Sequence, residues 1–352
     1  MTPRGTDWSL ALLVALGLVT GVATWFAGSP DGAWVFGAHA VGGTALALVL
    51  AWKLRRVWAR VADRARWDGR TGSALAALAL VGATLGSGLA WSSGGRLDLA
   101  GYNLLNWHVL VGGLLGAVVL GHALLRAKPL RARDLRSRRQ FLTAAAVGAG
   151  ALALWQVQRP LQRALGLPGS RRRFTGSYDA GEDFPATSWV ADAPRPLDPV
   201  EYRLTVAGHV HTPLALSAGD LDADDELTAT LDCTGGFYAT RRWRGTSLGR
   251  VLDRAGVAPE ARHVRVVSHT GFRWSFSLED ARALLLATRV GDIALSHGHG
   301  APCRLVAPGR RGFQWVKWVT RVEVHEDPDP GALASTVWSS FTRAGRGKDG
   351  RG

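Results

Sequence analysis

The sequence is poor in cysteine and methionine, with two Cys and one Met among 352 residues. Two cysteines, Cys233 and Cys303, are too few for a disulfide framework or a four-cysteine zinc site. The sequence also has no internal repeat and no pair of interrupted apolar segments, so it does not favour a transporter built from inverted halves.

Acidic residues are scarce in the first part of the chain, where residues 1–156 carry 16 Lys and Arg against six Asp and Glu. A formal net charge of +14 would ordinarily suggest nucleic-acid binding. Here most of the excess lies in two short loops between apolar segments, a pattern typical of the cytoplasmic side of a membrane protein. We therefore expect a lipid bilayer and no nucleic acid as a partner.

Four stretches reach the roughly 20 apolar residues that a bilayer-crossing helix needs. They cover residues 8–27, 33–52, 71–91 and 105–125. Tryptophans lie at their ends, as in an interfacial aromatic belt, namely Trp8, Trp25, Trp34, Trp52, Trp91 and Trp107. The sequence predicts an all-α transmembrane bundle of four helices in residues 1–128.

The basic residues predict the orientation of this bundle. Residues 53–70 and residues 126–139 each contain seven Lys or Arg, whereas the other two connections share only Arg96. The positive-inside rule then places the N-terminus and both basic loops in the cytoplasm.

A fifth, shorter apolar stretch covers residues 141–155 and follows the run Ser-Arg-Arg-Gln-Phe-Leu at 137–142. This run resembles a twin-arginine export signal, although it is internal here. The alternative is a basic flank beside a short helix. We expect residues 129–170 to hold the signal, a fifth transmembrane helix and a linker, with the following domain outside the cell. The basic residues at 159, 163 and 171–173 oppose that direction, but long domains largely escape the charge rule.

The second half of the chain has short β-like runs in place of long apolar runs. Short β-like runs at 202–206, 227–231, 263–267, 303–306 and 315–324 alternate with turns and with helical segments at 248–255 and 278–287. This pattern predicts an α+β domain over residues 171–325. Residues 326–352 are polar, Gly-rich and basic, which predicts a disordered tail.

Three segments of this domain carry candidate chemistry. Cys233 ends a β-like run and precedes Gly235 and Gly236, which remove side chains where a bulky group could approach the thiolate. Taken alone, such a Cys is more often a small apolar core residue. Residues 299–309 and 312–318 add a His, several Arg and a Lys among glycines, as in sites for phosphate-bearing cofactors.

In this order, Cys233, His-Gly-x-Pro-x-Arg at 299–304, Pro-Gly at 308–309 and Val-Lys-Trp at 316–318 resemble the molybdopterin domain of the sulfite oxidase family. The bacterial, membrane-linked branch of that family is the most similar. The resemblance covers residues 175–324 and includes Phe-Pro-Ala-Thr-Ser-Trp at 184–189. It implies that Cys233 is the catalytic thiolate ligand of molybdenum, in line with the preference of redox metals for soft ligands.

The resemblance also implies roles for other residues. His299, Arg304 and Lys317 would hold the pterin and its phosphate, with Asp232, Arg241 and Arg242 as further cofactor-binding candidates. Sulfite oxidases have Cys-x-Gly-Asn-Arg-Arg at this point, whereas here the Arg pair comes later, at 241–242. The sulfite pocket therefore does not carry over, and the substrate stays open between a small oxyanion and an S-oxide or N-oxide.

Three histidines lie in the apolar segments, and ionisable residues there are functional candidates. The second and fourth predicted helices both run from the outer to the inner side of the membrane. At 1.5 Å per residue, His39 lies about 5 Å and His108 about 10 Å from the centre of its helix toward the outer side, and His122 lies about 10 Å toward the inner side. His39 and His108 can therefore ligate one b-type haem, while His122 would face Lys53 in place of a second His. The placement resembles cytochrome b membrane subunits. The alternative is that all three are polar packing residues.

Together these expectations describe a membrane-bound molybdopterin oxidoreductase with an extracytoplasmic C-terminal domain. It would transfer oxygen atoms at molybdenum and exchange electrons through the haem with the quinone pool or a redox protein. Two alternatives remain: the same enzyme on a haem-free anchor, and a non-enzymatic binding domain on a membrane anchor.

Overall fold

The computed structural model describes residues 2–67, 71–126, 129, 138–187, 192–222 and 224–342, except for the side chains at 120 and 122–126. The chain forms two compact units, Met1–Tyr178 and Asp179–Gly352.

The first unit is helical. Its helices are α1 (Pro3–Ala23), α2 (Ala33–Ala62), α3 (Thr71–Ser93), α4 (Leu104–Arg126) and α5 (Arg138–Ala164), with a small hairpin of β1 (Asp98–Leu99) and β2 (Tyr102–Asn103) between α3 and α4. Among the described residues, four helices are long and apolar enough to span a membrane, namely α1, α2, α3 and α5. This confirms a helical region with four candidate spans.

The described part of α4 holds a shorter apolar stretch, Leu104–Val119, because the side chains at 120 and 122–126 lie outside the described part of the chain. The span predicted over residues 105–125 stays a prediction. Helix α5, predicted over residues 141–155, has 27 residues and passes through Pro160. Its apolar core is short, but an established helix extends through the polar residues that follow because each further residue adds one backbone hydrogen bond.

Helices α1 to α4 share a small core to which each contributes one buried residue: Val14, Leu46, Val81 and Leu115. Helix α5 packs against α2, where Gly37 leaves room for Trp155. Leucines and valines on the outer faces are widely exposed, for example Leu12 and Val19. A helix that is apolar on all sides is typical of a membrane span.

The second unit is built on two sheets. One has the strand order β11-β10-β7-β3, with β12 paired to β10 and β6 to β7; the other has the order β5-β4-β13-β8-β9. The strands are β3 (Tyr178–Asp179), β4 (Leu204–Gly208), β5 (Leu214–Leu216), β6 (Asp225–Asp232), β7 (Phe237–Ser247), β8 (His263–Ser268), β9 (Arg273–Ser277), β10 (Leu285–Val290), β11 (Ile293–Ala294), β12 (Arg304–Val306) and β13 (Val319–His325). The helices are α6 (Leu248–Ala255), α7 (Leu278–Arg282) and α8 (Ala332–Trp338).

Alternation of apolar and polar residues explains the second sheet. In β13, Val322 and Val324 are fully buried and pair in register with β8, while Arg321 and Glu323 point the other way. β13 is central, parallel to β4 and antiparallel to β8. The predicted α+β architecture is confirmed.

Two local predictions need correction. Residues 278–287 do not form one helix, because Leu285, Leu286 and Ala287 belong to β10, where they are buried between β7 and β12. Residues 326–342 are not a disordered tail either. They include α8, whose Ser335 is buried and bonded to the backbone of Arg273. Residues 343–352 lie outside the described part of the chain.

Candidate functional site

Cys233 lies in the turn between β6 and β7. Its N–H donates to the Phe237 carbonyl at 2.8 Å, and its carbonyl accepts from Gly236 at 3.0 Å, which closes the turn. Gly236 has a φ of +94°, a value that side chains rarely tolerate. The Cys233 Sγ accepts the Gly235 N–H at 3.3 Å and lies 3.5 Å from the Thr187 hydroxyl. The thiol is half-buried at the end of the sheet.

An ion pair behind this turn holds Cys233 in place. The Arg311 guanidinium donates to the Asp232 carboxylate at 2.5 Å and to the Cys233 carbonyl at 3.3 Å. Both side chains are buried, with 4% and 1% exposure. Asp232 is therefore bound to Arg311 and does not line the cavity at the thiol. The sequence prediction missed Arg311, although an acidic residue next to the candidate ligand was a signal to look for its cation.

Cys233 faces a small cavity that residues from four loops surround. Its lining residues are Pro185, Thr187, Leu231, Cys233, His299, Arg304, Gly312 and Lys317. Three of the predicted cofactor-binding residues are thus brought together with the predicted metal ligand. Gly312 permits this approach, because a Cβ there would lie 3.0 Å from the Cys233 Cα. No lining residue is an Asp or a Glu, so the cavity is cationic.

Arg304 supplies a buried charge. It is 1% exposed, and its guanidinium carbon lies 5.1 Å from the Trp243 ring and 5.8 Å from the Trp315 ring. It donates to the His299 carbonyl at 3.0 Å, and its Nε has no hydrogen-bond partner within the described residues. Burial lowers the pKa of Arg304 to about 10. A buried guanidinium that lacks a carboxylate partner is costly unless an anion joins it.

Lys317 provides a second basic side chain beside Arg304, and it is half-buried. Its Nζ donates to the carbonyls of Thr187 and Gly298. Burial, followed by the neighbouring Arg304 charge, lowers the pKa of Lys317 to about 7. Gly300, at a φ of +106°, allows the two cations to share this space, because a Cβ would lie 3.0 Å from Lys317 and 3.1 Å from Arg304.

His299 connects the cavity to the segment 184–187, which we call the lead-in segment. Its Nε2 donates to the Phe184 carbonyl at 2.8 Å, its Nδ1 accepts from Ser296 at 2.7 Å, and its ring stacks on Phe184 at 4.3 Å. Burial lowers the pKa of His299. Nε2 carries a proton in this arrangement, because a carbonyl can only accept a hydrogen bond.

The two arginines of β7 lie on opposite faces of the strand, as adjacent strand residues do. Arg241 donates to the carbonyls of residues 181–183, and its guanidinium lies 5.7 Å from the Phe184 ring, beside the lead-in segment. Arg242 binds Asp292 at 2.9 Å on the other, exposed face. The structure thus places Arg241 near the cavity and Arg242 away from it.

In the helical unit, the rings of His39 and His108 lie 5.9 Å apart at an angle of 86°. Nδ1 of His108 donates to the Thr84 carbonyl at 3.0 Å. The Thr20 hydroxyl donates to the Leu16 carbonyl at 2.6 Å and can accept from His39 Nδ1 at 3.0 Å. The side chain of His122 lies outside the described part of the chain.

Within the described residues, no three His, Cys, Asp or Glu side chains are grouped to hold a metal. A metal at Cys233 would therefore take its remaining ligands from a cofactor. The cationic, thiol-containing cavity fits an anionic cofactor with a phosphate. In this structure, the Thr187 and Phe184 carbonyls of the lead-in segment accept hydrogen bonds from Lys317 and His299, respectively.

Comparison with known proteins points the same way. Residues 191–333 match the family described as the oxidoreductase molybdopterin binding domain. Sulfite oxidase from Gallus gallus is 29% identical over 42% of this chain and 39% of its own length. The NADH nitrate reductase of Lotus japonicus is 27% identical over 37% of this chain and 19% of its own length.

Among solved structures, the sulfane dehydrogenase SoxCD from Paracoccus pantotrophus is 29% identical and covers 38% of this chain and 40% of that chain, with a TM-score of 0.36. The chain spans no more than two fifths of any of these three proteins. Residues 191–333 thus resemble the molybdopterin-binding domain of sulfite oxidase-type oxidoreductases.

Proposed function

We propose that the chain is a membrane-bound molybdopterin-dependent oxidoreductase in which Cys233 ligates the molybdenum. The observation that carries this proposal is a thiol at the end of a sheet that faces the buried Arg304 and the half-buried Lys317, with no carboxylate among the described residues that line the cavity. Such a cavity favours an anionic group that bears both a soft metal and a phosphate. The family match over residues 191–333 supports molybdopterin as that group.

The residues around the thiol have separate proposed roles in binding the cofactor, orienting Cys233 and exchanging a proton. Arg304, Lys317 and His299 would hold the pterin and its phosphate, and the anion would take the place of the Thr187 and Phe184 carbonyls as the acceptor for Lys317 and His299. Arg311, paired with Asp232, holds the backbone of Cys233 and so orients Sγ. Lys317 Nζ can exchange a proton near neutral pH, because its pKa is about 7. When bound, the cofactor supplies two-electron oxygen-atom transfer.

The substrate class is a small oxyanion or an S-oxide or N-oxide. Two of the relatives are named for sulfite and for nitrate, both small oxyanions. The exposed Arg241 beside the lead-in segment is a candidate for attracting such an anion, whereas Arg242 is already bound to Asp292.

We further propose that His39 and His108 ligate one b-type haem, through which electrons exchange with the quinone pool or a redox protein. With metal–nitrogen bonds of about 2 Å, two imidazoles on either side of one metal have ring centroids about 6 Å apart. The observed 5.9 Å fits this spacing. Hydrogen bonds at Nδ1 orient both rings and keep Nε2 for the metal, a common second-shell arrangement.

The basic loops and the twin-arginine-like run support an extracytoplasmic position for the C-terminal domain.

The test is to purify the full-length chain in mild detergent, from a host that makes the cofactor, and to count molybdenum and iron per polypeptide by elemental mass spectrometry. We expect each near one. Molybdenum without iron would reduce the helices to an anchor. Absence of molybdenum would overturn the assignment of Cys233 and leave a binding domain.

A further inference from the structure

Helix α8 and the turn that follows it have an inverted distribution of polarity. The hydroxyl side chains of Ser335, Ser339 and Ser340 are buried, at 3%, 1% and 2% exposure. The large apolar side chains of the same segment point outward, with Leu333, Val337 and Trp338 exposed by 56%, 55% and 71%. An ordinary surface helix does the opposite.

Hydrogen bonds fix this orientation. The Ser339 and Ser340 hydroxyls donate to the Asp192 carboxylate at 3.1 and 2.9 Å, and Thr270 donates to the same group at 3.3 Å. Ser335 accepts from the Arg273 N–H and donates to the Arg273 carbonyl, both at 3.1 Å. Rotating this segment to bury its apolar side chains would remove the Ser339 and Ser340 hydroxyls from the buried Asp192 carboxylate and break both Ser335 hydrogen bonds.

The exposed apolar side chains therefore form a fixed surface, which we call the α8 surface (Leu333, Val337 and Trp338). The sequence after it is basic, with Arg343, Arg346, Lys348 and Arg351 against one acidic residue, Asp349. A tryptophan and aliphatic side chains next to several cations are typical of segments that lie in the interface of an anionic bilayer. The same chain also carries four helices able to span a membrane, which keeps a bilayer at high effective concentration.

We propose that the α8 surface docks on the lipid headgroup region of the membrane that holds the chain, and that the positive charge of the sequence after it favours anionic lipid. Docking restrains the C-terminal domain at the bilayer. The inference relies on membrane insertion of the helical unit but not on molybdenum or haem, and it fails or holds independently of the proposed chemistry.

The test places the photo-crosslinker p-benzoylphenylalanine at position 338 (Trp338→p-benzoylphenylalanine) in the full-length chain, reconstituted in nanodiscs with and without anionic phospholipid. The matched control carries the same group at Ile293, an apolar residue of β11 with 78% exposure outside the α8 surface. We expect lipid adducts by mass spectrometry from position 338, at least about threefold above those from position 293. Their yield should fall in zwitterionic lipid or high salt, because the basic contribution is electrostatic.

A second variant separates charge from apolar contact. Replacing Arg343, Arg346, Lys348 and Arg351 by Gln should remove the dependence on anionic lipid and lower the adduct yield. Crosslinks to a second copy, crosslinks to the chain itself, or equal lipid yields at positions 338 and 293 would each overturn the proposal. A chain that does not remain with the nanodiscs would instead refute membrane insertion.

Discussion

The two candidate redox sites of this protein are built in opposite ways. Around Cys233, the buried Arg304 and the half-buried Lys317 meet in one cavity, and none of its described lining residues is a carboxylate. Around His39 and His108, the polar partners are neutral hydroxyl and carbonyl groups. The first arrangement suits an anionic cofactor with a phosphate, whereas for the second we propose a haem between two imidazoles.

The comparison shows that unbalanced positive charge and oriented neutral imidazoles point to different kinds of ligand. It also separates the two sites experimentally, because each depends on residues from its own unit. The following predictions test this separation, beginning with the largest effect.

Cys233→Ser should remove molybdenum and turnover together. Loss of a second-shell partner alone costs 10–100-fold in metal affinity or activity, so loss of the only protein thiolate should cost more than about 100-fold. Iron content and the helical CD spectrum should not change. The measurements are metal content and a substrate screen with sulfite, an S-oxide and an N-oxide, using a dye as electron partner.

The matched control is Cys303→Ala. This thiol is fully buried, and burial raises its pKa to about 12, so it stays neutral and does not act as a ligand. Retained turnover in Cys233→Ser, or its loss in Cys303→Ala without unfolding, would contradict the assignment.

His39→Ala and His108→Ala should each abolish the haem absorption of the purified chain and reduce its iron content to near zero, while molybdenum is retained. The reason is that one axial ligand remains in each variant and a bis-histidine site needs both. His122→Ala is the control and should keep the spectrum. A spectrum that survives both single substitutions would leave His39 and His108 as packing residues.

Arg311→Met should destabilise the C-terminal domain by about 3–5 kcal/mol, because it leaves the buried Asp232 carboxylate unpaired. The double variant Asp232→Leu with Arg311→Met should recover most of this loss, since both charges are then gone. Urea unfolding of the full-length chain, followed by proteolysis of the C-terminal domain, measures both. Equal losses in the single and double variants would refute the coupling.

Lys317 should make the cofactor-free chain more stable as the pH rises. Its folded pKa of about 7 lies below the usual 10.5, so between these values the unfolded chain binds a proton that the folded chain does not. The melting temperature of chain from a host that lacks the cofactor should thus rise from pH 7 to 9. Lys317→Met should flatten this rise, whereas Arg241→Met should leave it in place. A flat wild-type profile would be evidence against the low pKa.

Much of the architecture follows from sequence alone. Apolar runs of about 20 residues with flanking tryptophans determine the membrane-type helices, because a bilayer demands that length and those ends. Alternating apolar residues determine strands such as β13, and the ordered Cys, His, Arg and Lys motifs point to the molybdopterin-binding domain. The pairing of His39 with His108 was predicted from helix depth, and the two rings do lie together in the structure.

Other features depend on contacts between residues distant in sequence. The ion pair of Asp232 with Arg311 joins residues 79 positions apart, so the local sequence around either residue does not predict it. Leu285–Val290 becomes a strand because β7 and β12 lie on either side of it. Residues 332–340 fold onto Asp192 through buried hydroxyls, although the polar, Gly-rich and basic composition of residues 326–352 as a whole predicts disorder. Sequence determines which groups are available, and tertiary structure decides which charges and hydroxyls meet, because burial makes an unpaired polar group too costly to leave alone.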